Sequence, residues 1–374
     1  MPIGSSSIDV LIIVSSDPRY DARSTKYLRS LLSSGFKAKL VGAASDGTGD
    51  RTEELVRVPI SSRGGKAFFM QFYQKVVPEA MKVSAKLVIA GDLFSLPPAI
   101  INKQRHSHRG RPVRLVYDSK ELYEALPSLK VKRTSFLFWN LVEKSSLRYV
   151  DGVFTVNQSI ADILEAKWHL PTTVLRNVPN KQTARRYIQK SFDKIFLTFS
   201  GGLQAGRGLI DLLKLISILP AKYEIRFVGD GSMREDLLQR ASELRIQERI
   251  HFTGRVRQEE VINELSKAHI GIYLMENTGL CHYLSLPNKL FQFISAGLPV
   301  IVPHFPEMER IVKEYDIGAA VDTTDLDGVA KTVLEITADP ESYSRFSKNS
   351  ENASEVLNWQ AEETKFVEAI ARLI

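Results

Sequence analysis

Cysteine is almost missing from this chain: Cys281 is the single thiol in 374 residues. One thiol closes no internal disulfide and cannot supply the ligand set of a zinc or iron–sulfur centre, so a reducing compartment, the cytoplasm, is expected. Apolar runs of bilayer-spanning length are also missing, and no membrane-spanning helix is expected. The N-terminus lacks the basic start of a signal peptide. Its apolar run, DVLIIVSS, is short and β-branched, as in a buried first strand. Seven histidines are scattered. His106 and His108 are too few and too local for a metal site, and His251, His269 and His282 read as structural. No nucleic-acid-binding motif is present.

Acidic residues are scarce in the first half. Residues 1–190 carry a net +14 and residues 191–374 a net −7. A basic half beside an acidic half implies that the first half meets something anionic, such as a phosphate-bearing acceptor or a membrane surface. Lys103–Arg114 concentrates five cations with no acid, either as a landing patch or as a solvated loop.

What is present centres on Leu284–Pro303, LSLPNKLFQFISAGLPVIVP. Pro287 suits a helix start. Leu290, Phe291, Ile294 and Leu298 recur at helical spacing, Gly297 with Pro299 closes the helix, and Val300–Val302 reads as a strand ended by Pro303. A helix opening at Pro287-Asn288-Lys289 aims free N–H groups and a full charge forward. That combination suits a phosphate or diphosphate, although an ordinary packed helix with a solvated Lys289 satisfies the spacing equally well.

Before that stretch, strands and helices alternate. Ile8–Ser15 reads as a central strand, followed by a turn at Ser16-Asp17-Pro18, a helix through Leu32 and a strand at Ala38–Val41. This is the opening of a doubly wound sheet. Asp17 and Arg19 fall in the turn at the ligand edge and are candidate site residues, although solvated helix-start charges at Arg19 and Asp21 fit equally well. Strands are expected at Lys86–Ala90 and Arg114–Asp118, and a long helix at Lys130–Tyr149 with Phe136, Phe138 and Trp139 beside Lys130, Lys132 and Arg133. Basic and aromatic residues on one helix suit either a membrane surface or packing on the chain's own sheet. Asn180–Asp193 is polar and reads as a linker. Ile195–Gly201 opens a second domain and runs into SGGLQAGRG, a glycine-rich turn that lets backbone amides approach a phosphate. Tyr223–Gly229 is the next strand, with Gly229 and Gly231 in its turn, and Ala268–Leu274 is another. Asp325 and Asp327 read as helix capping. Glu355–Leu373 reads as a last helical segment.

These motifs carry a resemblance. SLPNKLFxFxxAGxPVI resembles the donor-binding signature of glycosyltransferase family 4, retaining enzymes of the GT-B fold. The family's helix carries a ribose-binding Glu where this chain has Gln292, and often a donor-sugar Glu where this chain has Leu284. The family loop G-R-L-x-x-x-K-G holds the donor diphosphate with both cations. Here Gly202 replaces the Arg and Arg207 matches the Lys. Relatives read D-x-H-E-L where this chain has Asp118-Ser119-Lys120-Glu121-Leu122, so Lys120 stands in the place of the His. Val256, after HFTGR, matches a position along the nucleotide base.

The resemblance implies an α/β protein of two Rossmann-like domains facing across a cleft, the GT-B arrangement. Residues 1–185 would form the acceptor-side domain and 190–352 the nucleotide-sugar domain. Residues 353–374 would be a helix crossing back to the first. The implied partners are a UDP- or GDP-sugar and a glycan or lipid-linked acceptor, with no cofactor, metal or nucleic acid. The implied place is the cytoplasm, at the inner membrane face, in bacterial surface polysaccharide assembly. Arg207, Lys289, Lys120 and Glu121 would be catalytic. Gly201, Gly202, Arg207, Gly229, Val256, Pro287, Asn288, Lys289 and Gln292 would hold the donor. Two alternatives stay open: a sugar-nucleotide 2-epimerase, and a degenerate member that binds a nucleotide sugar or a partner without turnover.

Overall fold

The computed structural model describes residues 7–44, 46–62, 65–107, 112–125, 133–182 and 191–374, the Arg133 side chain excepted. His108 and most of the basic loop around it lie outside these residues, as do Lys130, Lys132 and most of the linker. The described residues form two compact units. One comprises Met1–Arg176 with Glu362–Ile374, and the other Asn177–Ala361.

The first unit is built on β1 (Ile8–Ile13), β2 (Ala38–Ala44), β3 (Asp50–Arg51), β4 (Leu55–Pro59), β5 (Ala85–Ala90), β6 (Arg114–Asp118), β7 (Gly152–Thr155) and β8 (Thr172–Val174). Their order is β3-β4-β2-β1-β5-β6-β7-β8. Every pairing is parallel except β3 with β4. Val10–Val14 and Leu87–Ala90 are wholly buried, because strands covered on both faces read as continuous apolar runs. The helices are α1 (Ala22–Ser33), α2 (Gly65–Met81), α3 (Leu96–His106), α4 (Arg133–Ser146) and α5 (Gln158–Trp168). Asp21 starts α1 by accepting the Ser24 amide at 3.0 Å, a side-chain cap on a helix end that would otherwise leave its N–H groups unpaired. Chain order reverses at β1, whose neighbours are β2 and β5. The loops after β1 and β5 therefore diverge and leave a crevice at the strand ends.

The second unit carries β9 (Ile195–Ser200), β10 (Tyr223–Val228), β11 (Ile250–Gly254), β12 (Ile270–Ile272), β13 (Val300–Pro303) and β14 (Gly318–Val321). They form one parallel sheet in the order β11-β10-β9-β12-β13-β14. Here β9 is the reversal point. The turns after β9 and β12 are the ones that part. Helices α6 (Leu209–Ile218), α7 (Arg234–Glu243), α8 (Val261–Leu265), α9 (Leu280–Tyr283), α10 (Asn288–Ser295), α11 (Pro306–Tyr315), α12 (Leu326–Ala338) and α13 (Pro340–Ser354) pack around the sheet. Strand β12 is shorter than the expected Ala268–Leu274. A side chain at its Gly271 would start 2.3 Å from the Phe293 ring, so α10 seats directly on this strand.

The expected last helical segment is broken. Helix α13 ends at Ser354, and α14 (Trp359–Leu373) begins after Asn358, whose side-chain oxygen accepts the Ala361 amide at 3.1 Å. Within the first unit, Phe366 of α14 stacks on Tyr27 of α1, with ring centroids 4.3 Å apart.

Candidate functional site

The apolar spacing of Leu284–Pro303 becomes the core face of α10. Leu290, Phe291, Ile294 and Leu298 are all buried. Pro287 stands one residue outside the helix, as its N-cap, and not in the first turn; no side chain caps the end. The leading amides of α10 and the Lys289 side chain thus share one end of the helix.

That end meets the glycine-rich turn. Gly201 has φ +114°, and a Cβ there would lie 3.0 Å from Lys289 Cε and 3.6 Å from Arg207 Nη1. Both cations therefore flank one bare stretch of backbone. The turn is held open by close approaches that admit no side chain. A Cβ on Gly208, with φ +68°, would sit 1.8 Å from the Leu274 carbonyl oxygen, and one on Gly229 2.1 Å from that of Gly201. Arg207 donates to the Gly202 carbonyl at 3.1 Å. Gly202 supplies no cation, and its backbone instead orients the one that remains.

Lys289 lies over two rings, its Nζ 4.8 Å from the Tyr273 centroid and 5.5 Å from that of Phe199. Burial, helped by the neighbouring Arg207 guanidinium, pushes its pKa down to about 7. Among the described residues neither Lys289 nor Arg207 has a carboxylate partner. Two cations brought together without an anion form a site that an anion would stabilise. Burial raises the Tyr273 hydroxyl to about 12, so the ring stays neutral below Lys289.

Gln292 does not reach outward unpaired. Its Oε1 accepts from Ser200 Oγ at 2.8 Å, at the end of β9. Val256 is part-exposed just past β11, and Asn288 is exposed. Ser200, Tyr273 and Phe199 belong to this site and were not anticipated, because nothing in their local sequence separates them from ordinary strand residues. Ser285, two residues before Pro287, has a buried hydroxyl without a hydrogen-bond partner among the described residues.

Lys120 and Glu121 belong to the first unit. Lys120 Nζ pairs with Asp21 Oδ2 at 3.2 Å, and Ser16 Oγ donates to the same oxygen at 2.7 Å. Burial works to raise the Asp21 pKa, but Lys120 and the amide and hydroxyl donors outweigh it and hold the carboxyl below its ordinary value. Asp92, after β5, accepts the Ser15 amide at 2.8 Å and its hydroxyl at 2.9 Å. Full burial raises Asp92 despite the nearby Lys120. Glu121 is exposed. The loops after β1, β5 and β6 thus gather two carboxyls, two hydroxyls and one ammonium at the sheet's reversal point.

Two further anchors hold this edge. Arg23 binds Asp118 through both Nε and Nη2 at 2.9 Å, with both side chains buried, and Arg23 Nη1 donates to the Leu175 carbonyl at 2.8 Å. Asp17 is bound by Arg57 at 2.7 and 2.9 Å. Asp17 and Arg19, expected from the sequence as candidate site residues at this edge, are both engaged there. Asp17 is held by Arg57, and Arg19 pairs with Asp46. Among the described residues no three side chains of His, Cys, Asp and Glu gather as metal ligands. Asp325 caps α12, accepting the Gly328 amide at 3.0 Å.

Residues 180–353 match the family described as glycosyl transferases group 1. A lipopolysaccharide core biosynthesis glycosyltransferase, LpsE of Rhizobium meliloti, is 24% identical over 45% of this chain and 46% of its own. The matched stretches span about half the length of the curated relatives. Among solved structures, a sucrose-phosphate synthase of Thermosynechococcus elongatus superposes with a TM-score of 0.79 at 16% identity, covering 98% of this chain and 99% of that one. HepE of Anabaena, solved with UDP-glucose, gives 0.70 at 11% identity over 97% and 99%. Residues 180–353 thus resemble a glycosyl transferases group 1 domain, and the two parallel-sheet α/β units have the GT-B fold.

Proposed function

We propose that the chain is a retaining glycosyltransferase that moves a sugar from a nucleotide diphosphate to a glycan or lipid-linked acceptor in bacterial surface polysaccharide assembly. One observation carries the reading: Arg207 and Lys289 flank Gly201 at the reversal point of the second sheet with no acid between them. The relative LpsE, named for lipopolysaccharide core biosynthesis, supports the pathway. HepE, solved with UDP-glucose, supports a UDP-sugar donor; a GDP-sugar is the other candidate.

In this reading the donor diphosphate meets Arg207, Lys289 and the leading amides of α10. The bond from the sugar carbon to the diphosphate oxygen breaks and a bond to the acceptor oxygen forms. The departing phosphate oxygen takes the acceptor proton. Arg207 and Lys289 stabilise the charge that develops on that oxygen, the kind of electrostatic help that contributes most to the rate in many enzymes. Gln292, steadied by Ser200, hydrogen-bonds the ribose, and Val256 lies along the base. Lys120, fixed by Asp21, and Glu121 position acceptor and sugar. No metal or cofactor is assigned a role. The protein works at the cytoplasmic face of the membrane, with its basic first unit toward an anionic surface.

The test is a thermal-shift screen with UDP, GDP, ADP and their sugars. A ligand at 100 times its dissociation constant stabilises by ~2.7 kcal/mol. A selective shift with one nucleotide names the donor class, and no shift with any of them overturns the reading.

A second reading, a member that binds without turnover, is favoured by three details: Gly202 contributes no cation, Gln292 is engaged with Ser200, and Lys120 with Asp21. Nucleotide binding with no donor consumed against any acceptor would establish it.

A further inference from the structure

Five of the eight large apolar side chains exposed among the described residues of the first unit lie on three neighbouring helices, while Tyr20, Leu32 and Ile374 stand apart. Leu137, Phe138 and Leu141 are 58%, 58% and 68% exposed, and their spacing puts them on one face of α4. Met70 on α2 and Ile101 on α3 are exposed as well. Helix α3 packs against both α2 and α4, and Phe69 of α2 touches Trp139 of α4 with centroids 5.1 Å apart. The expected aromatic cluster therefore divides. Trp139 is buried and ties the helices together, whereas Phe138 joins Leu137 and Leu141 in solvent. A helix that meets only water carries polar residues there.

The charges on these helices that lack an opposite partner have one sign, because Glu79 of α2 is paired with Arg51 and Lys82. Lys66 on α2, Arg105 on α3 and Lys144 on α4 are exposed, and none has an acidic partner among the described residues. The one acid of α4, Glu143, is buried and accepts the Tyr117 hydroxyl at 2.9 Å. An apolar centre flanked by unpaired cations is repelled by a second copy of itself, since a two-fold contact sets like charge against like. An anionic lipid surface offers both what the apolar side chains and what the cations need.

We propose that the outer face of α2, α3 and α4 docks on an anionic bilayer. Leu137, Phe138 and Leu141 enter the boundary between headgroups and acyl chains, and Lys66, Arg105 and Lys144 meet lipid phosphates. This rests on the part of the reading that turns the first unit toward a membrane, and not on sugar transfer.

The test sediments the full chain with phosphatidylcholine vesicles and with vesicles of phosphatidylcholine and phosphatidylglycerol. Binding to the mixed vesicles is expected to exceed that to phosphatidylcholine by about tenfold and to weaken with added salt. Replacing all three apolar residues (L137S/F138S/L141S) is expected to lower binding to the mixed vesicles by about tenfold. Arg105→Ala and Lys144→Ala should each lower it roughly fivefold. Circular dichroism of every variant separates lost docking from lost folding. Absence of binding to the mixed vesicles, or undiminished binding by the folded triple variant, would overturn the proposal. So would a dimer in solution that the triple variant makes monomeric, because the face would then belong to a second copy. None of these readouts involves a nucleotide, so failure here leaves the donor reading standing, and the reverse.

Discussion

Lys289 Nζ lies 4.8 Å from the centre of the Tyr273 ring, and Arg207 stands beside it as the second cation. The ring offers a negative face to the ammonium but no proton acceptor. When protonated, Lys289 faces the Tyr273 and Phe199 rings and Arg207 with no carboxylate partner among the described residues. Once an anion arrives, both cations face one ligand.

Arg207→Ala and Lys289→Ala should each weaken nucleoside diphosphate binding roughly ten- to a hundredfold, as loss of a charged hydrogen bond does. Affinity for the nucleoside should barely change. Titration calorimetry with both ligands decides, and equal losses would remove the diphosphate from this site.

The lowered pKa of Lys289 makes stability depend on pH. Its folded pKa, about 7, lies below the ordinary 10.5. Between these values the unfolded chain binds the extra proton, so the contribution of this group to stability rises with pH across that window. Below about 7 both states are charged and the burial penalty is present in full. Denaturant unfolding of the ligand-free protein should show a rise that Lys289→Met flattens. A bound diphosphate favours the ammonium, so its binding should take up a proton in the lower part of the window. Calorimetry in buffers of different ionisation enthalpy reads that uptake, and identical observed heats in all buffers would argue against it.

Lys120→Ala should lower turnover while donor affinity stays the same. Asp21 separates the two duties of its carboxyl. Asp21→Asn keeps a good N-cap for α1 and loses the charge pair with Lys120, so it should lower turnover with little change in Tm. Asp21→Ala should also cost about 1 kcal/mol of stability. Equal Tm for the two variants would show that the cap is not what Asp21 supplies.

The Arg23–Asp118 pair is buried on both sides, so removing one partner strands the other charge. Arg23→Met or Asp118→Leu should each destabilise the first unit by ~3–5 kcal/mol, and the double replacement should recover much of that loss. A double variant as unstable as the sum of the two would show that the ions do not act as a pair.

The sequence alone determined the local things. Apolar periodicity over 284–303 specified a helix and strand whose core face is Leu290, Phe291, Ile294 and Leu298, because a 3.6-residue period has one way to be buried. Continuous β-branched runs specified central parallel strands, because only strands covered on both faces tolerate them. Glycines at 201, 208 and 229 marked turns, and their positive φ angles show why other residues would strain there.

Only the tertiary structure decided which groups answer to one another. Lys120 reads in sequence as the residue in the place of a family His, and Asp21, 99 positions away, pairs with it. Gln292 reads as a free amide, and Ser200 at the end of β9 holds it. The aromatic residues of α4 read as one cluster, yet Trp139 turns inward against Phe69 and Phe94 and Phe138 outward, because adjacent helical positions are ~100° apart and the neighbouring elements cover a single face. The pairing of Lys289 with Arg207 follows from strand order. With β9 between β10 and β12, the turns after β9 and β12 open at one edge, and residues 82 positions apart come to flank Gly201. Strand order is set by long-range packing, which no stretch of local sequence encodes.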